Sequence, residues 1–516
     1  MGKVSNRVDM FLKAVTRLPL VVRVAILHLL HLSQQSKYLD LRTELSIAVI
    51  RSFVQDPKPR SISSTQKLLN RDPGVKGRIW VARYTSPAPP EVDVRDALLA
   101  AVEGLMDECL SAVAATGPAG EAQQGAGKPV CRIPDLVAVE AEWTGYRAAA
   151  TSDSKLPPQL SERQRYDEMM KECRSPVTVL YFHGGAHYLM DPATHRNVTK
   201  KLAKLTGGRC YSVRYRLAPQ NPFPAAVLDA LVSYLTLLYP PPGAFHEAVK
   251  PEHIVFAGDS AGGNLCLALL QTILELNRQK REITWHGSTV TVPIPAGCAV
   301  NSPWMDMTLS SPSWTKNSKW DYLPSDEGLD DRRPACAAWP ATPPRRSIYV
   351  DDAMILHPLA SPLAASNWAG SPPVYVCTGW ELLADEDRLL AARLEQAGVP
   401  VVFEEYEAMP HCFALVFNHL EASRRCFDAW AGFIRKVVVV DGGGAEGESS
   451  AEGKGSLVES SFVTVKAKTL EEVPIPAGEL RKWSEEEVRE RLIRRCQQIL
   501  PARKGDDAGD LATPKL

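Results

Sequence analysis

Short apolar runs alternate with amphipathic helical patterns through the middle of the chain. Strands are predicted at 177–182, 209–215, 253–257, 297–301, 374–378 and 401–406, and the run 254–257 is apolar throughout and indicates a buried strand. Between them, apolar residues recur at helical spacing, which predicts helices at 194–205, 224–239, 264–276, 387–396 and 412–437. Strands that alternate with helices indicate an α/β fold, with a mostly parallel central sheet and helices on both of its faces.

The first 130 residues have a different pattern, in which helical periodicity dominates. Helices are predicted at 18–32, 38–54 and 92–113, and the Gly/Ala-rich stretch 117–128 is predicted to be a surface loop. A strand at 136–142 then begins the alternating pattern. We therefore predict an N-terminal helical cap or lid region over 1–130 and the α/β domain over 131–440.

Two polar stretches fall outside this alternation. Residues 310–350 are rich in Pro, Arg, Asp and Ser, and we interpret them as a loop inserted over the top of the sheet. Residues 441–461 are rich in Gly, Ser and Glu, which is typical of a disordered linker. A charged amphipathic helix is predicted at 484–500, with Ser484 as its N-cap and Glu487 three residues later. The prediction for 441–516 is a largely disordered tail with a terminal amphipathic helix.

The apolar stretch 18–32 has three possible roles. It contains Arg23, His28 and His31, and it is too short and too polar for a membrane span. The helix could pack on the main domain, cover a lipophilic pocket as a lid, or lie on a membrane surface. Peripheral membrane contact through 18–32 therefore stays open at this point.

The composition restricts which cellular compartment and which classes of partner we expect. The 516 residues carry a net charge of −1, so no overall field attracts nucleic acid. The 11 cysteines show neither a C-x-x-C motif nor the spacing of a metal site. They are interpreted as reduced cysteines of an intracellular protein, either cytoplasmic or peripherally associated with a membrane such as the endoplasmic reticulum. No cofactor and no metal are predicted, and the oligomeric state is not indicated.

The motif Gly258-Asp259-Ser260-Ala261-Gly262 lies between a predicted strand and a predicted helix. In this context G-x-S-x-G forms a sharp turn that exposes the serine hydroxyl at the helix N-terminus. The flanking glycines leave room for the turn. Ser260 is therefore the candidate nucleophile.

A serine nucleophile needs a base to accept its proton and an acid to orient that base. Glu381 follows the predicted strand 374–378, and His411 follows the predicted strand 401–406. Both therefore lie at the same edge of the sheet as Ser260, in the chain order serine, acid, histidine. Asp385, four residues after Glu381, is the alternative acid, and its other possible role is an N-cap of the following helix.

The segment His183-Gly184-Gly185-Ala186 follows the predicted strand 177–182. Backbone N–H groups in such a loop can stabilise the negative charge of a tetrahedral intermediate. The predicted donors are Gly184, Gly185 and Ala186, together with Ala261 after the nucleophile.

These motifs, with Tyr215-Arg216-Leu217-Ala218-Pro219, Ser302-Pro303-Trp304 and His411, resemble the hormone-sensitive-lipase group of α/β hydrolases, which includes arylacetamide deacetylases and many carboxylesterases. The resemblance covers about 136–440. It implies an α/β-hydrolase catalytic domain, ester or amide hydrolysis through an acyl-serine, no cofactor, and a helical cap before the domain.

The chain departs from the family pattern at two places. Ala186 stands where the family usually has the last glycine of His-Gly-Gly-Gly, and Glu381 stands where it usually has the aspartate of Asp-Pro-Leu. The resemblance also marks Asp385 as the second carboxylate of that motif, outside the triad.

The leading hypothesis is a serine esterase, deacetylase or lipase-like enzyme that acts on a lipophilic small-molecule ester. One alternative is a ligand-binding protein on the same fold without catalysis. The other is a steryl-ester or lipid hydrolase that works at a membrane surface.

Overall fold

The computed structural model describes residues 16–116, 131–324, 332–438 and 458–499. Within these ranges, ten strands form one sheet, and two more form a separate hairpin. The strands are β1 (Ile79–Ser86), β2 (Val139–Tyr146), β3 (Thr178–Phe182), β4 (Arg209–Val213), β5 (Ile254–Asp259), β6 (Ile283–Trp285), β7 (Ser288–Val290), β8 (Gly297–Asn301), β9 (Val374–Gly379), β10 (Val401–Tyr406), β11 (Ser461–Val465) and β12 (Glu472–Pro474).

Helices connect these strands and cover the sheet. Their bounds are α1 (Leu18–Leu29), α2 (Leu41–Val54), α3 (Ile62–Leu69), α4 (Asp93–Thr116), α5 (Glu162–Glu172), α6 (Arg196–Thr206), α7 (Ala225–Leu238), α8 (Ala261–Arg278), α9 (Ser313–Lys316), α10 (Ala384–Gln396), α11 (Phe413–Val416), α12 (Glu421–Val437), α13 (Ala477–Leu480) and α14 (Glu485–Ile499). The predicted alternation of strands and helices is confirmed.

The sheet order is β1-β2-β4-β3-β5-β8-β9-β10-β11-β12, with β6 and β7 paired apart from it. Every pairing from β4 through to β11 is parallel, while β1, β2 and β12 join antiparallel. The strands β3, β5, β9 and β10 are buried almost throughout, which explains why apolar residues predominate in them. Because they are parallel, the loops after them meet at one edge of the sheet.

The region predicted as a helical cap contains a strand of the main sheet as well as helices. Residues of β1 pair along their whole length with β2. The predicted helix 38–54 is observed as α2, whose buried residues are Thr43, Glu44 and Ile47. Glu44 accepts a hydrogen bond from Ser33 and meets His28 of α1.

Helix α1 leaves several large apolar side chains exposed to solvent. None of its residues is buried, and Leu18 and Leu29 are 60% and 66% exposed. Among the described residues, no helix has both the length and the hydropathy that a membrane-spanning segment needs.

The prediction of a largely disordered tail is wrong for 458–480, which form two strands and a short helix, whereas the predicted terminal amphipathic helix is present as α14, with reciprocal hydrogen bonds between Ser484 and Glu487. Strand β11 extends the sheet by pairing in parallel with β10, and β12 pairs with β11. Helix α14 buries Val488 and Leu492, and Arg393 of α10 binds Glu485 at its start. The predicted linker 441–457 lies outside the described residues. The two tail strands were not predicted because their sequences lack a strong apolar pattern: β12 is exposed, and most residues of β11 are half-buried or exposed.

Candidate active site

Ser260 occupies a sharp turn between β5 and α8. Its backbone has φ 53° and ψ −121°, a left-handed conformation that L residues rarely adopt. The turn is held by hydrogen bonds from Ser260 N to Asn301 O (3.0 Å) and from Trp304 N to Ser260 O (3.1 Å). The neighbouring strand β8 and the segment after it therefore fix the serine at the carboxyl edge of the sheet.

The glycines of the motif are required by close backbone contacts. A Cβ on Gly258 would lie 2.5 Å from the carbonyl oxygen of Gly262, and one on Gly262 would lie 2.0 Å from that of Phe182. Either distance is shorter than any normal contact, so the turn needs glycine at both positions. The sequence motif and the observed geometry therefore agree.

His411 follows β10, and its ring contacts the loop after β9. Its Nδ1 is hydrogen-bonded to Glu381 Oε2, and both side chains are buried. This contact fixes the tautomer in which Nδ1 carries the proton and Nε2 keeps its lone pair.

Three neighbours hold the other oxygen of Glu381. Its Oε1 accepts hydrogen bonds from Ser302 Oγ (2.5 Å), Thr378 Oγ1 (3.1 Å) and Gly379 N (3.1 Å). The Ser302 hydroxyl in turn accepts from Cys412 N at 3.1 Å. Ser302 thus joins the acid to the residue after the histidine.

The charges of this pair are mutually stabilised. Burial alone would raise the pKa of Glu381, but His411 and the hydrogen bonds outweigh it and lower that pKa. Burial alone would lower the pKa of His411, but the buried carboxylate of Glu381 raises it. The buried carboxylate therefore favours the imidazolium that forms when the histidine accepts a proton.

The Nε2 atom of His411 faces a thiol. Among the described residues, the neighbour within hydrogen-bond distance of Nε2 is Cys412 Sγ at 3.4 Å, and not the Ser260 hydroxyl. Burial raises the pKa of the Cys412 thiol to about 12, so the thiol stays protonated and can donate to Nε2. In this structure the thiol occupies the lone pair that would accept the serine proton.

Replacing Cys412 with alanine should free Nε2 and raise kcat by about fivefold, the worth of a hydrogen bond of about 1 kcal/mol. Steady-state hydrolysis of a p-nitrophenyl ester measures this change. Alanine has the same steric difficulty as cysteine at φ 47°, so the melting temperature serves as the control for folding. Cys412→Ser keeps a donor and should not show the gain. An alanine variant that is no faster than the wild type would contradict the interpretation.

The loop after β3 has N–H groups available for an oxyanion. The N–H groups of Gly184, Gly185 and Ala186 have no hydrogen-bond acceptor among the described residues. Ala261 is the first residue of α8, so its N–H has no acceptor within the helix. A Cβ on Gly184 would lie 2.2 Å from Asp259 Oδ2, which shows how closely this loop approaches the elbow.

Buried polar side chains support this loop from below. Asp259 accepts from Tyr181 Oη at 2.5 Å and meets His195 Nε2 at 3.4 Å. Tyr215 Oη donates to His183 O at 2.6 Å, and its ring stacks on the imidazole of His183. Burial lowers the pKa of His183 to about 3, so this histidine is neutral. These contacts suit a supporting role and not proton transfer.

Comparison with known proteins identifies the family of this chain. A family model described as alpha/beta hydrolase fold matches residues 179–415. An acetyl-hydrolase of Streptomyces hygroscopicus is 32% identical over 259 residues, which are 50% of this chain and 75% of that protein. The chain belongs to the alpha/beta hydrolase family. It is a carboxylic ester hydrolase of the group that contains hormone-sensitive-lipase and arylacetamide-deacetylase-like enzymes.

One further relative and one solved structure are also similar to this α/β hydrolase. Arylacetamide deacetylase-like 3 of Homo sapiens is 23% identical over 311 residues, which are 52% of this chain and 75% of that protein. The crystal structure of an esterase from the bacterial hormone-sensitive lipase family matches with a TM-score of 0.50 and 23% identity. It covers 77% of this chain and 99% of that one, and it shows the shared fold.

The α/β hydrolase differs from the family pattern at Ala186. This residue has φ 52°, a left-handed conformation in which an alanine is strained and a glycine is not. Gly185 before it has φ 115°. The loop thus keeps a glycine-type backbone although its last glycine is replaced.

The structure separates the two candidate acids. Asp385 Oδ2 accepts from Ser313 N at 2.8 Å, and Asp385 N donates to Ser313 Oγ. The carboxylate that reaches His411 is that of Glu381. Asp385 is the second residue of α10, whose N-cap position is occupied by Leu383.

Four residues around the site were not predicted from the sequence. They are Ser302, Asp321, Tyr322 and Cys412. Ser302 was noted only as part of a motif, although its position directly after β8 could have indicated a place at the same edge of the sheet. Asp321 and Tyr322 belong to the inserted segment, for which no sequence signal indicated contact with the site. Among the described residues, no group of three or more His, Cys, Asp or Glu side chains could hold a metal ion.

Proposed function

We propose that this α/β hydrolase cleaves small lipophilic carboxylic esters through an acyl intermediate on Ser260. The observation that carries the proposal is the contact of Glu381 with His411 Nδ1, on loops beside the elbow that exposes Ser260. A buried acid on one ring nitrogen prepares the other nitrogen to act as a base.

His411 Nε2 removes the proton of Ser260 Oγ as the oxygen attacks the ester carbonyl. The resulting imidazolium is stabilised by the carboxylate of Glu381. The imidazolium then protonates the departing alkoxide, so that the alcohol leaves and an acyl-serine remains. Water attacks this ester in the same way, and the acid product and free serine are released.

The developing oxyanion needs donors that are already oriented. We assign this role to the N–H groups of Gly184, Gly185 and Ala261, with Ala186 as a further donor. Their unengaged N–H groups and the short approach of Gly184 to Asp259 support the assignment. No metal or cofactor is needed for any of these steps.

The substrate class is proposed from the relatives and from the apolar N-terminal region. An acetyl-hydrolase and an arylacetamide deacetylase-like protein are among the relatives. We therefore expect p-nitrophenyl acetate and butyrate to be hydrolysed faster than p-nitrophenyl palmitate. Initial rates across the acyl series measure this, and Ser260→Ala is the control for background hydrolysis.

The same experiment separates the enzyme from a ligand-binding protein without catalysis. The esterase proposal requires turnover of at least one ester in the series. It also requires phosphonylation of Ser260 by a fluorophosphonate, seen by mass spectrometry. A chain that binds the esters but shows neither reaction would overturn the proposal.

Membrane-surface hydrolysis is a second candidate, favoured by the exposed apolar side chains of α1. Leu18, Val22, Ile26 and Leu29 are each about half exposed or more, and their spacing places them on one face of the helix. Residues 16–60 carry seven Lys or Arg against three Asp or Glu, so this region can also attract anionic lipid.

Liposome flotation tests the membrane candidate. Val22→Glu and Ile26→Glu should each reduce the bound fraction on vesicles that contain phosphatidylserine. Leu68→Glu is the matched control, because Leu68 is 49% exposed like Val22 but lies on α3. Equal flotation of all three variants and the wild type would remove this candidate.

The proposed intracellular location is based only on the cysteines, which are interpreted as reduced.

A further inference from the structure

A segment of the insertion lies against both loops that carry the proposed triad. We call residues 313–323 the bracing segment. It begins with α9 and was expected only to cover the top of the sheet. Its hydrogen bonds instead reach the main chain of the proton-transfer pair itself, Glu381 and His411.

The first set of contacts fixes the loop of Glu381. Asn317 Nδ2 donates to Glu381 O at 2.9 Å, and Ser313 Oγ donates to Leu382 O at 2.5 Å. Asp321 Oδ2 accepts from Leu382 N at 2.9 Å. The backbone of the acid and of its successor is thus held on both its donor and its acceptor sides.

The second set of contacts fixes His411. Asp321 Oδ1 accepts from His411 N at 3.3 Å, and Tyr322 Oη donates to His411 O at 2.6 Å. Both Asp321 and His411 are buried. One carboxylate therefore holds the acid loop with one oxygen and the histidine with the other.

The outer side of the bracing segment is tied to the N-terminal helices. Arg51 of α2 donates from Nε to Asp321 O at 2.7 Å and from Nη2 to Lys319 O at 2.8 Å. Gln55 Nε2 donates to Leu323 O at 3.0 Å. The rings of Tyr38, Trp320 and Trp380 pack edge to face at this junction, and Trp380 directly precedes Glu381.

We propose that Asp321 and Tyr322 are positioning residues that set the distance and angle between His411 and Glu381, with Arg51 as their support from the N-terminal helices. This inference rests on the proposed function. A small displacement of a proton-transfer pair strongly lowers the rate of the chemical step, while substrate binding is little affected. The helices before the domain thus complete the active site from behind, in addition to any covering role.

Kinetics on p-nitrophenyl acetate test this inference. We expect kcat to fall about tenfold in Tyr322→Phe and about 100-fold in Asp321→Asn, with KM nearly unchanged in both. Arg51→Met should lower kcat by about threefold or more, again with KM nearly unchanged. The matched controls are Ser318→Ala, whose hydroxyl bonds only within the segment to Thr315, and Arg42→Met, which changes an exposed side chain on the same helix.

The pH profile separates positioning from loss of folding. The charged groups near Asp321 are Glu381, His411 and Arg51. Removing the carboxylate of Asp321 lowers the pKa of His411, so the acid limb of kcat/KM should move to lower pH in Asp321→Asn. Tyr322→Phe removes no charge and should keep the wild-type limb. A variant that merely unfolds would lose activity without such a shift and would melt at a lower temperature.

The outcomes distinguish this inference from the proposed function. An active wild type with Tyr322→Phe and Asp321→Asn as fast as Ser318→Ala would overturn the inference alone. A fall in activity accompanied by a proportional rise in KM would also overturn it. A wild type that neither hydrolyses esters nor is phosphonylated at Ser260 would overturn both.

Discussion

Replacing Ser260 with alanine should lower kcat by about four to six orders of magnitude, which is the range seen when a serine nucleophile is removed. The substitution deletes the oxygen that forms the acyl intermediate and leaves His411, Glu381 and the oxyanion donors in place. Alanine at φ 53° bears the same strain as serine, so the turn should be preserved. Steady-state hydrolysis of p-nitrophenyl acetate measures the loss.

The control for this change is a serine outside the site. Ser318→Ala should retain full activity, since its hydroxyl bonds to Thr315 O in an exposed turn. The fluorophosphonate should label the wild type and Ser318→Ala but not Ser260→Ala. Appreciable turnover by a folded Ser260→Ala chain would exclude the acyl-serine mechanism.

Replacing Glu381 with glutamine should lower kcat by about 10⁴-fold, as when the acid of a serine–histidine–acid triad loses its charge. The amide no longer stabilises the imidazolium, and its NH₂ group can present a donor to His411 Nδ1, which favours the wrong tautomer. In the opposite orientation of the amide, the NH₂ group faces the Ser302 hydroxyl or Gly379 N. Both of these groups donate to Glu381 in the wild type, so a donor would then face a donor. The pH dependence of kcat/KM provides a second measurement.

Asp385→Asn is the matched control for the acid. Asp385 lies four residues further on and bonds to Ser313, not to His411, so its variant should retain activity within a few-fold. The pKa of His411 should fall in Glu381→Gln and the acid limb should move to lower pH, while Asp385→Asn keeps the limb in place. The reverse pattern would assign the acid to Asp385.

The core of the fold and the main chemical groups of the candidate site could be predicted because each of their markers is local. Ser260 directly follows β5, while Glu381 and His411 lie in the loops that begin after Gly379 of β9 and Tyr406 of β10, and parallel strands bring such positions to one edge. The two glycines of the elbow are likewise set by a turn of five residues. Local patterns were therefore enough to propose this group of residues before any tertiary contact was known.

The remainder of the site depends on contacts between distant parts of the chain. Asp321 lies 90 positions before the histidine whose N–H it accepts, and Arg51 lies 270 positions before the carbonyl that it binds. Composition described the insertion as polar but gave no sign of which atoms its polar groups would meet. Strand β11 was missed for the same reason, because its pairing with β10 follows a long polar stretch.

The tail strands also determine which edges of the sheet are left open. Strand β11 covers the hydrogen-bonding edge of β10, the strand that leads into His411. A chain that ended before 458 would expose that long, buried strand as an edge able to pair with another molecule. Among the described residues, the outermost strand on this side of the sheet is β12, which is three residues long and contains Pro474. A short edge with a proline is a poor template for intermolecular pairing, so the tail strands protect the enzyme against aggregation through this edge.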